Sequence, residues 1–524
     1  MFTRTNSIIA LLALLAISVF FGSSLPNTGF DYDFDKFFKP EDEATLFYKV
    51  HRDTFSTDND FVLIGLVNSG SVFEPTFLEK VEKLTQELRS VPHVTQVISP
   101  TNASIKVREP LTGAFFEKPL LTGNSRKDSI RAFSDPSLTA NLFSRDTTAV
   151  SIVLTTTEYL GKEKSDELAT GLNELLDKYD FDGIHLSGRA IGQVVYIQKI
   201  QREFVMFMGI AIGFVIVLLF FMFRTVRGIV LPMATVLLAV VWSVGILNIS
   251  GRGISLLLSM LPPVIFVVGM SDAVHLYSRY IEELRKGKSK AEAIRLMTFD
   301  TGLATLLTSV TTAIGFASLW FTGIPALKEF GLLTAAGVLA AFVIAITMMP
   351  AWLTLSKKPK RSVNSPNIQR WDKYLLPLFI IVTRRPKKVF AAVGVIALFM
   401  IASSFTIDLN NYLLEDLKKG EKLRKDFTFF DEYFSGVRPF DLGIKWKSDI
   451  SPSDPEYFLT LKKIHDYLDT TYGAGALSSP LSVLKEINRS RHGGKNEYYR
   501  LPKDEKKIGR LMKDYRRLLK TGNL

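Results

Sequence analysis

Cysteine is absent from all 524 residues, so no disulfide framework, thiolate metal site or cysteine nucleophile is available to this chain. Large hydrophilic regions outside a membrane would then fold without cross-links, which favours a bacterial or archaeal periplasm over a secretory-pathway ectodomain. Metal-ligand spacings, a nucleophile elbow and a phosphate loop are also missing; Gly287-Lys288-Ser289 lacks the glycine that opens such a loop. The reading is therefore not an enzyme, and no cofactor or metal is expected. Acidic residues are fewer than basic ones, 52 against 64, giving a net charge of +12. The surplus sits in short segments beside apolar runs rather than in one basic face, so nucleic acid is not the expected partner.

What the chain has in abundance is apolar sequence, and it is clustered. A bilayer is crossed by about 20 apolar residues, and runs of that order occur at 7–25, 203–223, 229–249, 254–278, 303–322, 327–355 and 388–406. The segment 357–388 carries Lys357, Lys358, Lys360, Arg361, Arg370, Lys373, Arg384, Arg385, Lys387 and Lys388 against Asp372 alone. By the positive-inside rule it is cytoplasmic, as are the basic residues near Arg224 and those from Arg279 to Arg295. The hydrophilic regions 26–202 and 407–524 then lie on the extracytoplasmic side of an inner membrane.

The predicted organisation is a first span (1–25), an extracytoplasmic domain (26–202), five clustered spans (203–356), a basic cytoplasmic linker (357–387), a seventh span (388–406) and a second extracytoplasmic region (407–524). Within the linker, the apolar and basic residues from Ile368 to Leu376 predict a helix lying on the membrane face. The domain 26–202 reads strand, helix, strand twice, at 61–67, 74–89 and 95–98, then at 148–155, 163–178 and 184–186. That order predicts α+β subdomains of ferredoxin-like type.

The start of the chain recurs after the sixth span. Phe30 to Phe38 corresponds to Ile407 to Leu414; Phe61 to Val67 corresponds to Phe440 to Trp446, read as a strand; Val97-Ile-Ser-Pro100 corresponds to Leu477-Ser-Ser-Pro480. This is one repeat and the opening of a second, which also favours a retained first span over a cleaved signal peptide.

A single aspartate, Asp272, lies inside the apolar run from Val264 to Arg279. Such a group costs roughly 2.5 to 3.5 kcal/mol at a helix centre and marks a functional site by default. Residues three, four and seven apart share a helix face, so Gly269, Asp272, His275 or Leu276, and Arg279 line one side of the fourth span, with Ser271 beside them. Asp272 is the expected proton carrier and His275 a second titrating candidate, while Arg279 reads as a snorkelling anchor. In the fifth span Thr301, Thr305, Thr308, Thr312 and Gly315 form a stripe whose hydroxyls are expected to support the carboxylate or to bond backbone carbonyls. Gly315 is expected to allow close helix approach, and Asp300 to cap the fifth span.

Gly269-Met-Ser-Asp-Ala-Val-His-Leu276, the segment Thr301 to Phe316 and Phe37-Phe-Lys-Pro-Glu-Asp42 together resemble the resistance-nodulation-division (RND) superfamily. The likeness covers essentially the whole chain. Within the superfamily it is nearest the MMPL-type and predicted-exporter branches, which are similar in fold to Patched and the sterol-sensing proteins. The resemblance implies an RND-type fold with porter domains and proton-driven export of hydrophobic or lipid-like molecules, with Asp272 in a proton relay. Some relatives place a tyrosine directly after this aspartate, where this chain has Ala273. Relatives carry two full repeats, whereas this chain stops inside the second, so a fragment of a longer protein is expected. Its partners would be the lipid bilayer, a hydrophobic small molecule, and the missing half or other subunits. A lipid-sensing or scaffold protein, and a protein-export accessory of the same fold, are the alternatives.

Overall fold

The computed structural model describes residues 3–30, 34–55, 60–108, 115–133, 141–158, 160–358, 368–407, 418, 420–446 and 454–520. The repeat segments at 31–33 and 408–414, and Lys360 and Arg361 of the basic linker, lie outside them. The chain divides into two units, Met1–Phe47 with Ile197–Tyr412, and Tyr48–Tyr196 with Leu413–Leu524.

Among the described residues seven helices are long and apolar enough to cross a membrane: Arg4–Gly22, Arg189–Phe223, Val226–Ile249, Leu258–Arg285, Lys290–Thr322, Pro325–Leu355 and Pro386–Ser404. They are called here the first to seventh spans. In the first unit the core is built by the third, fourth and sixth spans, with Val236, Ala239, Ile265, Phe266, Val338, Ala341 and Ile344 buried together. Since lipid tails are as apolar as leucine, close packing and polar links rather than water exclusion hold such helices together. Gly337 of the sixth span lies against Ile265 and Ser243, and Gly245 of the third lies against Phe21 of the first.

Polar links tie the first span to the third. Trp242 Nε1 donates to Ser18 Oγ at 2.8 Å, and Ser18 Oγ in turn donates to the Leu14 carbonyl at 2.6 Å. Asn248 Nδ2 donates to the Ser24 carbonyl at 2.9 Å and to Thr28 Oγ1 at 2.8 Å. Trp242→Phe removes the indole donor, a bond worth about 0.6 kcal/mol between helices in lipid, together with the smaller part of the ring, and should lower stability only modestly more than that. Removing the ring, in Trp242→Ala, should cost about 3–5 kcal/mol. Thermal unfolding in detergent separates the two; equal losses would mean that the hydrogen bond and not the ring holds the contact.

At the end of the bundle that carries the basic segments, side chains close off the last carbonyls of the sixth span. Lys290 Nζ donates to the carbonyls of Thr354 and Ser356, both at 2.7 Å, and Arg227 donates to the Lys357 carbonyl at 2.6 Å. Cations are favourable there because a helix C-terminus leaves unpaired carbonyls and a partial negative charge. The helix Ile368–Arg384 extends well beyond the amphipathic segment 368–376 and is followed directly by the seventh span.

The second unit contains strands β1 (Phe61–Val67), β2 (Val94–Ile98), β3 (Ser104–Arg108), β4 (Phe115–Pro119), β5 (Ala149–Thr156) and β6 (Gly183–Ser187). β1, β2, β5 and β6 form an antiparallel sheet in the order β2-β5-β1-β6, and β3 and β4 form a separate antiparallel pair. The helices Pro75–Leu88 and Lys162–Leu176 link β1 to β2 and β5 to β6, each burying an apolar stripe: Phe77, Val81, Leu84 and Leu88 in one, Leu168, Leu172 and Leu175 in the other.

Against the sheet lies the helix Lys422–Tyr433, whose Phe429 and Phe430 pack with Ala149, Leu63 and Val67. Gly65 makes this possible, because a Cβ there would collide with Phe429 and come within 3.1 Å of Phe430. His185 Nδ1 and Asp426 Oδ1 meet at 2.8 Å, and the His185 ring stacks on Phe429 with centroids 3.9 Å apart.

The strand expected at 440–446 is not formed. Phe440, Leu442 and Ile444 alternate as a strand would, yet all three are exposed and no ladder partner is present among the described residues. Alternation alone does not hold a strand without a neighbour to accept its hydrogen bonds. Instead the helices Pro455–Tyr467, Pro480–Arg491 and Glu505–Lys520 form a cluster around Phe458, Leu484, Ile487, Ile508 and Leu511. The segment 477–480, aligned by sequence with the end of β2, is not a strand.

Candidate functional site: a carboxylate sealed in the fourth span

The α-helix of the fourth span, Leu261–Arg285, opens on Leu261-Pro262-Pro263, where prolines are tolerated because the first helical turn has no acceptors for their missing N–H groups. From there its buried side runs through Ile265, Phe266, Gly269, Asp272, Leu276 and Tyr280. Gly269 sits where a Cβ would be 3.4 Å from Ala341 and 3.6 Å from Val236, so it lies between the third and sixth spans. One turn further on, Asp272 is 5% exposed.

Its partner comes from the fifth span: Ser309 Oγ donates to Asp272 Oδ2 at 2.9 Å, and Ser309 is itself 1% exposed. A buried carboxylate needs such a donor, because leaving it unpaired in an apolar interior is far more costly than the bond is worth. The third and sixth spans bring no ionisable residue to this level; their charged residues are Arg227 near one end and Lys328 and Glu329 near the other.

The remaining candidates are placed as follows. His275 is exposed, though within electrostatic reach of the carboxylate. Ser271 is also exposed. Thr305 is buried, but its hydroxyl donates to the Thr301 carbonyl at 2.6 Å; Thr308 bonds the Thr305 carbonyl at 2.9 Å and Thr312 the Thr308 carbonyl at 2.7 Å. These threonines satisfy backbone groups rather than the carboxylate. Nothing lies within 4 Å of a Cβ built on Gly315, so the close helix approach expected there does not occur. It is made by Gly331 of the sixth span, which lies against the Phe316 carbonyl and Leu319.

Arg279 is not a free anchor. It pairs with Glu283 at 3.2 Å, Glu282 at 3.5 Å and Asp300 at 3.9 Å. Glu283, 2% exposed, also meets Lys286 at 3.1 Å and Lys288 at 3.5 Å. Asp300 does not cap a helix either. It lies within a π-helical turn, Met297–Thr301, through which the helix Lys290–Leu296 runs on into Gly302–Ala317.

Ser309 lies to one side of the stripe Thr301, Thr305, Thr308, Thr312 and Gly315, which shares only Thr305 with the buried face. Each α-helical residue advances by about 100°, and a π turn inserts one extra residue. Before the turn the buried residues are Ala293, Ile294 and Met297; an uninterrupted helix would continue that face through Thr301, Ala304, Thr308 and Thr312. After it the buried residues are Gly302, Thr305, Ser309 and Ala313. The face has moved by one position, and the sequence carries no local mark of it.

A multi-span helical membrane protein with a buried carboxylate, Asp272, bonded between two of its spans is the class these features define. Residues 55–389 match the MMPL family, and the chain belongs to that family. It is similar to a membrane protein of Methanocaldococcus jannaschii, 25% identical over 374 residues that cover 68% of this chain and 92% of that protein. The apo-petrobactin exporter of Bacillus anthracis is 24% identical over 313 residues, 52% of this chain and 41% of that one. The sulfolipid-1 exporter of Mycobacterium tuberculosis is 29% identical over 167 residues, 30% of this chain and 15% of that one. The chain thus spans less than half the length of these two exporters. Among solved structures, a heavy metal efflux pump aligns with 57% of this chain and 35% of its own at 15% identity, with a TM-score of 0.36.

Proposed function

We propose that this MMPL-family protein is an RND-type exporter of hydrophobic or lipid-like molecules, driven by protons that load and leave Asp272. The observation that carries the reading is Asp272 itself, a carboxylate 5% exposed within a span and bonded to a hydroxyl of the next one. Binding a proton there removes a buried charge and changes how strongly the fourth and fifth spans attract each other, which is what coupling to a conformational cycle requires. Two relatives named as exporters, of apo-petrobactin and of sulfolipid-1, support the transport reading.

The basic segments favour a cytoplasmic position, at an inner membrane, for the ends of the second, fourth and sixth spans, and an extracytoplasmic one for the hydrophilic domain 26–202. There its sheet order β6-β1-β5-β2, with helices following β1 and β5, supports the ferredoxin-like porter subdomain. Gly269 and Thr305 act in this scheme on the buried faces of the fourth and fifth spans, one turn from Asp272 and Ser309. The test is coupled flux. In proteoliposomes with a trapped pH dye and an imposed proton gradient, adding a hydrophobic substrate should accelerate proton movement. Substrate flux at an unchanged rate after the gradient is collapsed would sink the proposal.

A further inference from the structure

The fifth span carries two polar faces one residue apart. In the present structure Gly302, Thr305, Ser309 and Ala313 face inward, and Ser309 donates to Asp272 at 2.9 Å. The inward face before the π turn, continued at α-helical spacing, is instead Thr301, Ala304, Thr308 and Thr312. Were the π turn at Met297–Thr301 drawn out into α-helix, every residue beyond it would screw round by about 100°, and Thr308 would occupy the place of Ser309. The substitute is chemically equivalent, a hydroxyl for a hydroxyl, and small residues or threonines fill the rest of the stripe. A helix that can present either of two matched faces to its neighbour is bistable rather than continuously deformable.

We infer that the fifth span switches between these two registers, with Thr308 as the second hydroxyl partner of Asp272. This rests on the proposed proton role of Asp272. The physical cause is the strength of the bond that holds the present register. A hydroxyl donating to a charged carboxylate makes a bond roughly twice as strong as one between neutral groups, which offsets the uncommon π turn, a geometry found in well under 1% of residues. When Asp272 takes up a proton that advantage falls away, and the helix relaxes to regular α form with Thr308 inward. The groups able to bias the change are few. His275 stands within electrostatic reach of Asp272, Arg279 pairs with Asp300 inside the turn at 3.9 Å, and the third and sixth spans bring no ionisable residue to this depth.

Rotation is read best at positions that tolerate a label. Leu306 is partly exposed beside the inward face, and Thr311 is exposed roughly opposite it. With no native cysteine in the chain, L306C and T311C each give a single nitroxide site in the full chain in lipid nanodiscs. In the Asp272→Asn background, which removes the charge permanently, oxygen accessibility should rise at 306, and the label at 311 should pass from mobile to immobilised. Deleting Thr298 to remove the extra residue should give the same pair of changes whether residue 272 is Asp or Asn. Labels that stay as in the parent protein in the Asp272→Asn background overturn the switch, even if transport is lost, and leave the proton reading standing. Labels that move while gradient-driven flux is unimpaired support the switch and overturn the proton reading instead.

Discussion

Asp272→Asn, reconstituted in proteoliposomes with a proton-motive force, should accumulate no substrate. One charge crossing about 100 mV supplies roughly 2.3 kcal/mol, and at 1.4 kcal/mol per tenfold that sustains roughly a fortyfold concentration ratio. The native protein should approach such a ratio, and the variant should fall to unity, because a side chain that cannot exchange a proton passes on none of that energy. Asparagine keeps the size of the side chain and can still accept from a hydroxyl of the fifth span, so the variant should remain folded and bind substrate. A gradient sustained by the Asn variant would show that the driving proton is carried elsewhere. Ser309→Ala should give an intermediate result, since the carboxylate keeps its proton chemistry but loses the donor that fixes its position.

The second large effect concerns packing, and it separates two glycines. Gly331→Val should lower the unfolding temperature sharply, because any Cβ there runs into the Phe316 carbonyl and into Leu319. Those groups are at the end of the fifth span, and the carbonyl belongs to a helix backbone that cannot swing aside. Overpacking of this kind typically costs about 1–3 kcal/mol, with the larger value expected where the obstacle is backbone. Gly315→Val should leave the bundle intact, since a Cβ there meets nothing within 4 Å. The comparison is made by thermal unfolding of the two variants in the same detergent, and equal losses would refute the assignment of Gly331 as the close contact.

The two glycines also show how far the sequence could be read. The spans were legible because bilayer thickness demands long apolar runs and the chain supplies them as separate blocks. Asp272 was legible as a candidate because a lone carboxylate in such a block stands out against its surroundings. Ser309 was not: the stripe Thr301, Thr305, Thr308, Thr312 and Gly315 lies to one side of the buried face Gly302, Thr305, Ser309 and Ala313 and shares only Thr305 with it. The spacing of hydroxyls does not say which of two adjacent faces a neighbouring helix covers, so Gly315 meets open space while Gly331 makes the close contact.

In the second unit the alternating segment 61–67 forms β1 and 148–155 falls, but for its first residue, on its partner β5. Residues 440–446 alternate equally well and are not a strand. What distinguishes them is the presence of hydrogen-bonding neighbours, which a local pattern does not record. Nor did the sequence reading anticipate that the helix Lys422–Tyr433 would cover the sheet, since its match to Gly65 depends on residues far apart along the chain.

That cover has a consequence in time. His185 and Asp426, which meet across it, are 241 residues apart in the chain. At a synthesis rate of about 5–20 residues per second, the wait between them is roughly 10 to 50 s. Throughout that interval Leu63, Val67 and Ala149 have no cover from Phe429 and Phe430, while the clustered spans are still being made. The sheet is therefore exposed to wrong pairing for longer than a typical domain takes to fold. Its final assembly depends on the ribosome having passed the seventh span, which makes the late helix a checkpoint for the earlier domain.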